Sequence, residues 1–252
     1  MRSLEHYVDI NPSFVISGGL DMRRMALGLF AGAGLVAVAG PGRAEAEPSQ
    51  YAKMAPVAQY MMTSPEKEIA LAKSAAPPSI SENAEILVLR AHGYETAVKG
   101  KNGFVCLVER SWDADFNDPV FWNPKIRGAD CLNPEAARTV LPHFRERANW
   151  ALAGLSKPEM MARTKAEISA NTYLLPGTGA MAFMTSSEQR LVDGNTHWHP
   201  HLMFFVARAN DATWGANFVG SQVMSTIHQT DPITTFIVPV RKWSDGKPDG
   251  AD

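Results

Sequence analysis

Three histidines fall within five residues in His197-Trp198-His199-Pro200-His201. In an extended chain alternate residues face one way, so the three imidazoles would line one side of a strand, with Trp198, Pro200 and Leu202 on the other. At about 3.3 Å of rise per residue, neighbouring histidines of the row stand roughly 6.6 Å apart at Cα and the outer pair roughly 13 Å. A zinc ion holds imidazole nitrogen at about 2.0–2.1 Å. Two neighbours can therefore converge on one ion, whereas three from a straight strand cannot, unless Pro200 bends it. A metal site here would use His197/His199 or His199/His201 plus a ligand from His92, Glu109, His143 or His228. Imidazole suits zinc and copper alike. The alternative is a row of hydrogen-bonded histidines at the mouth of a strand.

H-x-H pairs of this kind resemble the metal-binding strands of cupins and of β-sheet carbonic anhydrases. The resemblance covers a tripeptide and carries over no residue role. If a metal is held, the chemistry it implies is hydrolysis by metal-activated water, with Glu109 as the base. The competing reading makes Glu109 and Arg110 a salt-bridged strand end.

Three further features bear on chemistry. Residues 111–133 form a long loop rich in aromatic and acidic residues, in which Trp112, Phe116, Phe121 and Trp122 would form a ligand-contact surface. Its Asp113-Ala114-Asp115-Phe116-Asn117 opens like a calcium loop, but Asp118 stands where glycine is required and Pro124 where glutamate is. Cys106 and Cys131 are the only thiols. In an oxidising compartment an even count points to one disulfide, worth about 3.5 kcal/mol in the chain-entropy model; the alternative is two free, buried thiols. Thr185-Ser186-Ser187 lacks the nucleophile elbow, and the glycines form neither a dinucleotide fingerprint nor a P-loop.

The elements that must position these residues read as α+β: a mainly antiparallel sheet with helices inserted between the first and last strands, and an N-terminal helical segment. Ser64-Pro65-Glu66 opens a helix that Pro77-Pro78 ends. Period two then marks strands at 84–90, 94–99 and 103–110, the latter two as a hairpin around residues 100–103. In the third of these strands Phe104, Cys106 and Val108 share one face, and Val105, Leu107 and Glu109 the other. Both faces are largely apolar, which places it inside the sheet. Helical signals follow from Asn133-Pro134-Glu135, from Pro142 and from Ser156-Lys157-Pro158-Glu159. Strand patterns return at 179–185, 201–207, 223–228 and 233–240.

Residues 1–46 read as an export signal. Arg23-Arg24 is a basic start, Met25 to Gly40 is free of charge, and Ala44-Glu45-Ala46 is a small-x-small cleavage pattern, with Met22 an alternative start. The apolar run is short for a membrane span, so cleavage would leave no permanent anchor. The arginine pair admits the twin-arginine route as well as the general one. The domains expected are thus 1–46 signal, 47–78 helical segment and 79–252 α+β body. The chain has 252 residues, 45% of them hydrophobic, six tryptophans and a formal charge of −2, which argues against disorder and against a nucleic-acid partner.

The strings GYETAVKGKNGFVCLVERSW (93–112), FWNPKIRGADCLNPEAARTVLP (121–142) and HWHPHLMFF (197–205) together resemble a set of exported bacterial proteins. That resemblance implies export to the periplasm or outside the cell, and no activity. The expectation is an exported binding protein for a small ligand, a metal or an envelope partner, with a metal-dependent hydrolase as the alternative.

Overall fold

The computed structural model describes residues 50–192 and 198–250. The export segment and His197 lie outside the described residues. Helix α1 (Pro65–Lys73) starts where Ser64 caps the backbone N–H of Lys67 and Pro65 occupies the first turn; a single turn, α2 (Pro78–Ser81), follows. Next come β1 (Glu85–Arg90), β2 (Gly93–Val98), β3 (Val105–Glu109) and β4 (Gly128–Leu132). Three helices interrupt the strands: α3 (Pro134–Thr139), α4 (Leu141–Leu152) and α5 (Lys157–Ser169). The Asn133 side chain caps α3, and a reciprocal Ser156–Glu159 box caps α5. Strands β5 (Met181–Met184), β6 (His201–Ala207), β7 (Met224–Ile227) and β8 (Ile233–Pro239) complete the chain.

The strands form one eight-stranded sheet in the order β2-β1-β3-β4-β5-β6-β8-β7. Every pairing is antiparallel except β1 with β3. The α+β class holds, but the expected hairpin around residues 100–103 does not form. The hairpin is β1–β2, turning at Ala91-His92 into Gly93, whose φ of +118° suits glycine. Residues 99–104 then cross the start of β1: Lys101 N–H bonds Asn83 O at 2.7 Å, and Glu85 N–H bonds Phe104 O at 2.8 Å. That crossing lays β3 on the far edge of β1. A second correction concerns the loop expected over 111–133, within which Gly128–Leu132 is strand β4.

The sheet is covered on both faces. On one, α1 lays Leu71 and Ala72 over Ile86, Cys106, Val108, Ala129 and Cys131. Cys106 and Cys131 are register partners on β3 and β4, and they are joined as a disulfide on this face. The other face buries Leu87, Leu107, Leu132, Met203 and Phe205 beneath α3–α5 and the aromatic loop. Trp112, Phe116, Phe121 and Trp122 all belong to this core, at 0–3% exposure. They are therefore not the exposed contact surface expected of them. Burying rings of this size is what orders so long a loop.

One ion pair links the layers. Arg110 follows β3 and is 1% exposed; its guanidinium bonds Glu68 of α1 at 2.7 Å, Tyr60 O at 2.7 Å, and Val108 O. Glu68 also accepts the Leu89 N–H of β1 at 3.1 Å. Two buried charges repay their desolvation only when paired and well hydrogen-bonded, and here each of the three guanidinium nitrogens has an acceptor. Removing the carboxylate leaves a guanidinium stranded in the core. Glu68→Ala is expected to lower the unfolding free energy by about 3–5 kcal/mol in urea titrations, and Glu68→Gln, which keeps an oxygen for Leu89, by less.

Candidate functional site

The residue after a strand end alternates in direction with the one before it, and this separates Glu109 from Arg110. Arg110 turns to α1, while Glu109 turns to the face of Leu107. Opposite Glu109 stands Gly128. A Cβ on Gly128 would lie 3.3 Å from Glu109 Oε2, 3.0 Å from Met184 Cε and 3.1 Å from Leu191 Cδ2. The missing side chain is the space the carboxyl occupies. Beside it is Asp130, 0% exposed, with both carboxyl oxygens buried and without a hydrogen-bond partner among the described residues. Burial and the Asp130 charge push Glu109 well above the carboxylate range. Burial likewise raises Asp130, to about 7. Of the two, Glu109 is the carboxyl whose protonated form burial and its neighbour's charge favour more strongly. Asp113 joins them, raised first by burial and then by Glu109.

A second group of polar side chains surrounds α4. Leu141, Arg145 and Asn149, with Pro142, Glu146 and Trp150, recur at four-residue spacing and so share one side of the helix. With Ala137 of α3 they line an open groove of about 680 Å³. Glu146 and Trp150 also line the small adjoining cleft, together with His143, Arg147, Glu167 and Asp231. Burial holds His143 below the ordinary histidine range. Its ring stacks on Tyr173, centroids 4.1 Å apart, and its Nε2 lies 2.7 Å from Leu174 O, so Nε2 carries the proton. Glu167 is raised by burial and then by the charge of its neighbour Glu146. Burial alone would raise Asp231, but the His228 ring, 3.5 Å away, and the paired Arg147 guanidinium outweigh it and the net shift is downward.

The histidine row is only partly strand. β6 begins at His201, and Trp198–Pro200 precede it as irregular chain. His201 is buried, and its Nδ1 lies 2.8 Å from His199 O. His199 Nδ1 pairs with Asp249. Among the described residues no three His, Cys, Asp or Glu side chains gather as a metal-holding group. Of the remote ligands considered, His143 and His228 lie near Asp231 instead, and Glu109 lies beside Asp130. Strands β4 and β5 lie between Glu109 and the histidines, a span of about 14 Å at ordinary strand spacing. Glu109 is thus no partner of the histidine row in this fold, nor does it pair with Arg110.

No protein-family model, no curated protein and no solved structure matches the chain. Any functional reading rests on the geometry. Sequence reading missed Asp130 and the α4 group of Glu146, Glu167, Tyr173 and Asp231. Asp130 had a usable signal: period two from Cys131 places a charge on the apolar face of β4. The α4 group had none, because Tyr173 and Asp231 come to α4 from remote loops.

The carboxyl pair makes a pH prediction. A carboxyl whose folded pKa is raised binds its proton more tightly folded than unfolded, so stability falls as pH rises between the two values. For Asp130 that window runs from the model-peptide value of 3.8 to about 7. Asp130→Asn removes one charge. Its thermal midpoint should exceed wild type at pH 8 and decline less between pH 4 and 7, as followed by circular dichroism.

Proposed function

We propose that the protein is an exported binding protein that takes a small organic ligand in the groove of α4. The observation that carries this reading is the groove itself. Its volume of about 680 Å³ falls within the range of ligand sites. Its walls combine an apolar floor from Ala137, Leu141 and Trp150 with the charged and amide ends of Arg145, Glu146 and Asn149. Such a lining suits a ligand with an aromatic or aliphatic body and one anionic end, which Arg145 would meet. Export is supported by the Cys106–Cys131 disulfide, since such bonds persist mainly in oxidising compartments. The anionic fluorophore anilinonaphthalene sulfonate is a fitting probe. Fluorescence titration should show saturable binding, with Arg145→Ala weakening it about five-fold or more. An unchanged titration in Arg145→Ala, or no saturable binding by the wild type, overturns the groove reading.

One observation favours metal binding as a second reading. Both His199 and His201 have Nδ1 on an oxygen, from Asp249 and from the His199 carbonyl respectively. Metal-ligating histidines are oriented in this way, the metal taking the other ring nitrogen. We infer that His199 and His201, with His197, could hold zinc or copper, either for carriage or for hydrolysis. The purified full chain, reconstituted with each metal and dialysed, should then retain about one ion by plasma mass spectrometry, and a His199→Ala/His201→Ala variant should retain none. A wild type without retained metal removes this reading.

A further inference from the structure

The segment between β6 and β7 has an unusual composition and an unusual shape. Residues 212–227 contain no Asp, Glu, Lys, Arg or His. Trp214, Phe218, Val219 and Ile227 are 50%, 59%, 108% and 41% exposed. These are the large apolar side chains that this stretch of chain exposes, and exposed apolar groups of this size ordinarily mark a contact site. The stretch is held in place. The Trp214 ring stacks on Phe236, centroids 4.2 Å apart and 18° from parallel, which anchors one ring face and leaves the rest to solvent. Ser221 N–H closes a turn on Phe218 O at 2.9 Å, presenting Phe218 and Val219 at its tip.

Asn217 organises the base of this turn. Its backbone is left-handed, with φ of 61°, a conformation asparagine tolerates better than most residues. Its N–H bonds Val223 O at 2.9 Å; its side-chain oxygen accepts Ser225 N–H at 3.0 Å, and its Nδ2 donates to Ser225 Oγ at 2.9 Å. Ser225 lies on β7, the last strand of the sheet. The amide thus occupies the outward N–H with which a second chain would pair, and strand addition by another copy is disfavoured at this edge.

We propose that this loop is an interfacial anchor that inserts Phe218 and Val219 into a neutral lipid surface. Three features fit that occupant. The tip carries no charged side chain that insertion would desolvate, and the carboxylate at its base, Asp211, is held by Asn217 and Ser225. The turn is closed by Ser221 N–H on Phe218 O and its base by Asn217 N–H on Val223 O, which reduces the number of bare backbone groups that would meet an apolar layer. A half-exposed tryptophan beside the tip suits the headgroup level, where indole rings concentrate.

The test is co-sedimentation of the full chain with dioleoylphosphatidylcholine vesicles, at low and high salt, for wild type and a Phe218→Ser/Val219→Ser variant. Both substituted side chains are exposed, so circular dichroism should be unchanged. The expected result is salt-independent partition by the wild type that falls about ten-fold or more in the variant. Three results overturn the proposal. The wild type fails to sediment; the variant sediments equally, placing lipid contact elsewhere in the chain; or the wild type forms a concentration-dependent dimer that the variant abolishes, giving the patch to a second copy.

Discussion

The structure depends on the joint at Glu109-Arg110, where two neighbouring side chains leave β3 in opposite directions. Arg110 is drawn to Glu68 and fastens α1 to one face of the sheet. Glu109 is sent to the other face, beneath the helical layer. The guanidinium also bonds Tyr60 O. The Tyr60 ring packs on Trp112 and its hydroxyl donates to Trp122 O. One buried cation therefore connects the N-terminal segment, the sheet and both ends of the aromatic run. Its charge is tolerable in a dry interior only because its hydrogen-bonding directions are met.

The same joint explains why acids accumulate nearby without neutralising partners. Arg110 spends its charge on Glu68, so Glu109, Asp130 and Asp113 have no cation of their own at bonding distance. Low-dielectric surroundings make three adjacent anions far more costly than in water. Protonation is the available relief, and burial beside Asp130 favours it at Glu109. Gly128 contributes by absence, since any side chain there would press on the Glu109 carboxyl. A polar cluster of this kind restricts register: sliding β4 by one residue would move Asp130 to the face of the disulfide and Cys131 to the face of Leu107.

Local order was legible in the sequence to the extent that it is local. Proline at the first turn and capping residues marked α1, α3 and α5, and period two marked β1, β3, β6 and β8. The two apolar faces of β3 correctly implied an interior strand. Strand order was not legible, because β2 and β3 have the right length and turn residues for a hairpin. Only the crossing of residues 99–104 over Asn83 and Glu85 sends β3 past β1. Strand β4 was hidden by its composition, since Gly-Ala-Asp-Cys-Leu begins with two weak strand formers and carries a charge. In the aromatic loop the residue types were read correctly but their direction was not. A run of large rings marks an exposed surface or a loop folded into the core equally well, and Arg147 decides the matter here.

Arg147 also connects the loop to the groove. Its guanidinium lies 4.3 Å from the Phe116 ring and bonds Trp112 O at 3.2 Å and Ala114 O at 2.6 Å, while pairing with Asp231. Its predecessors on α4, Arg145 and Glu146, face the groove. A helix advances about 100° per residue, so a ligand-facing surface and a core-facing anchor can be near neighbours on one turn. The groove cannot change shape without shifting α4, and α4 cannot shift without disturbing Arg147 and the loop it holds.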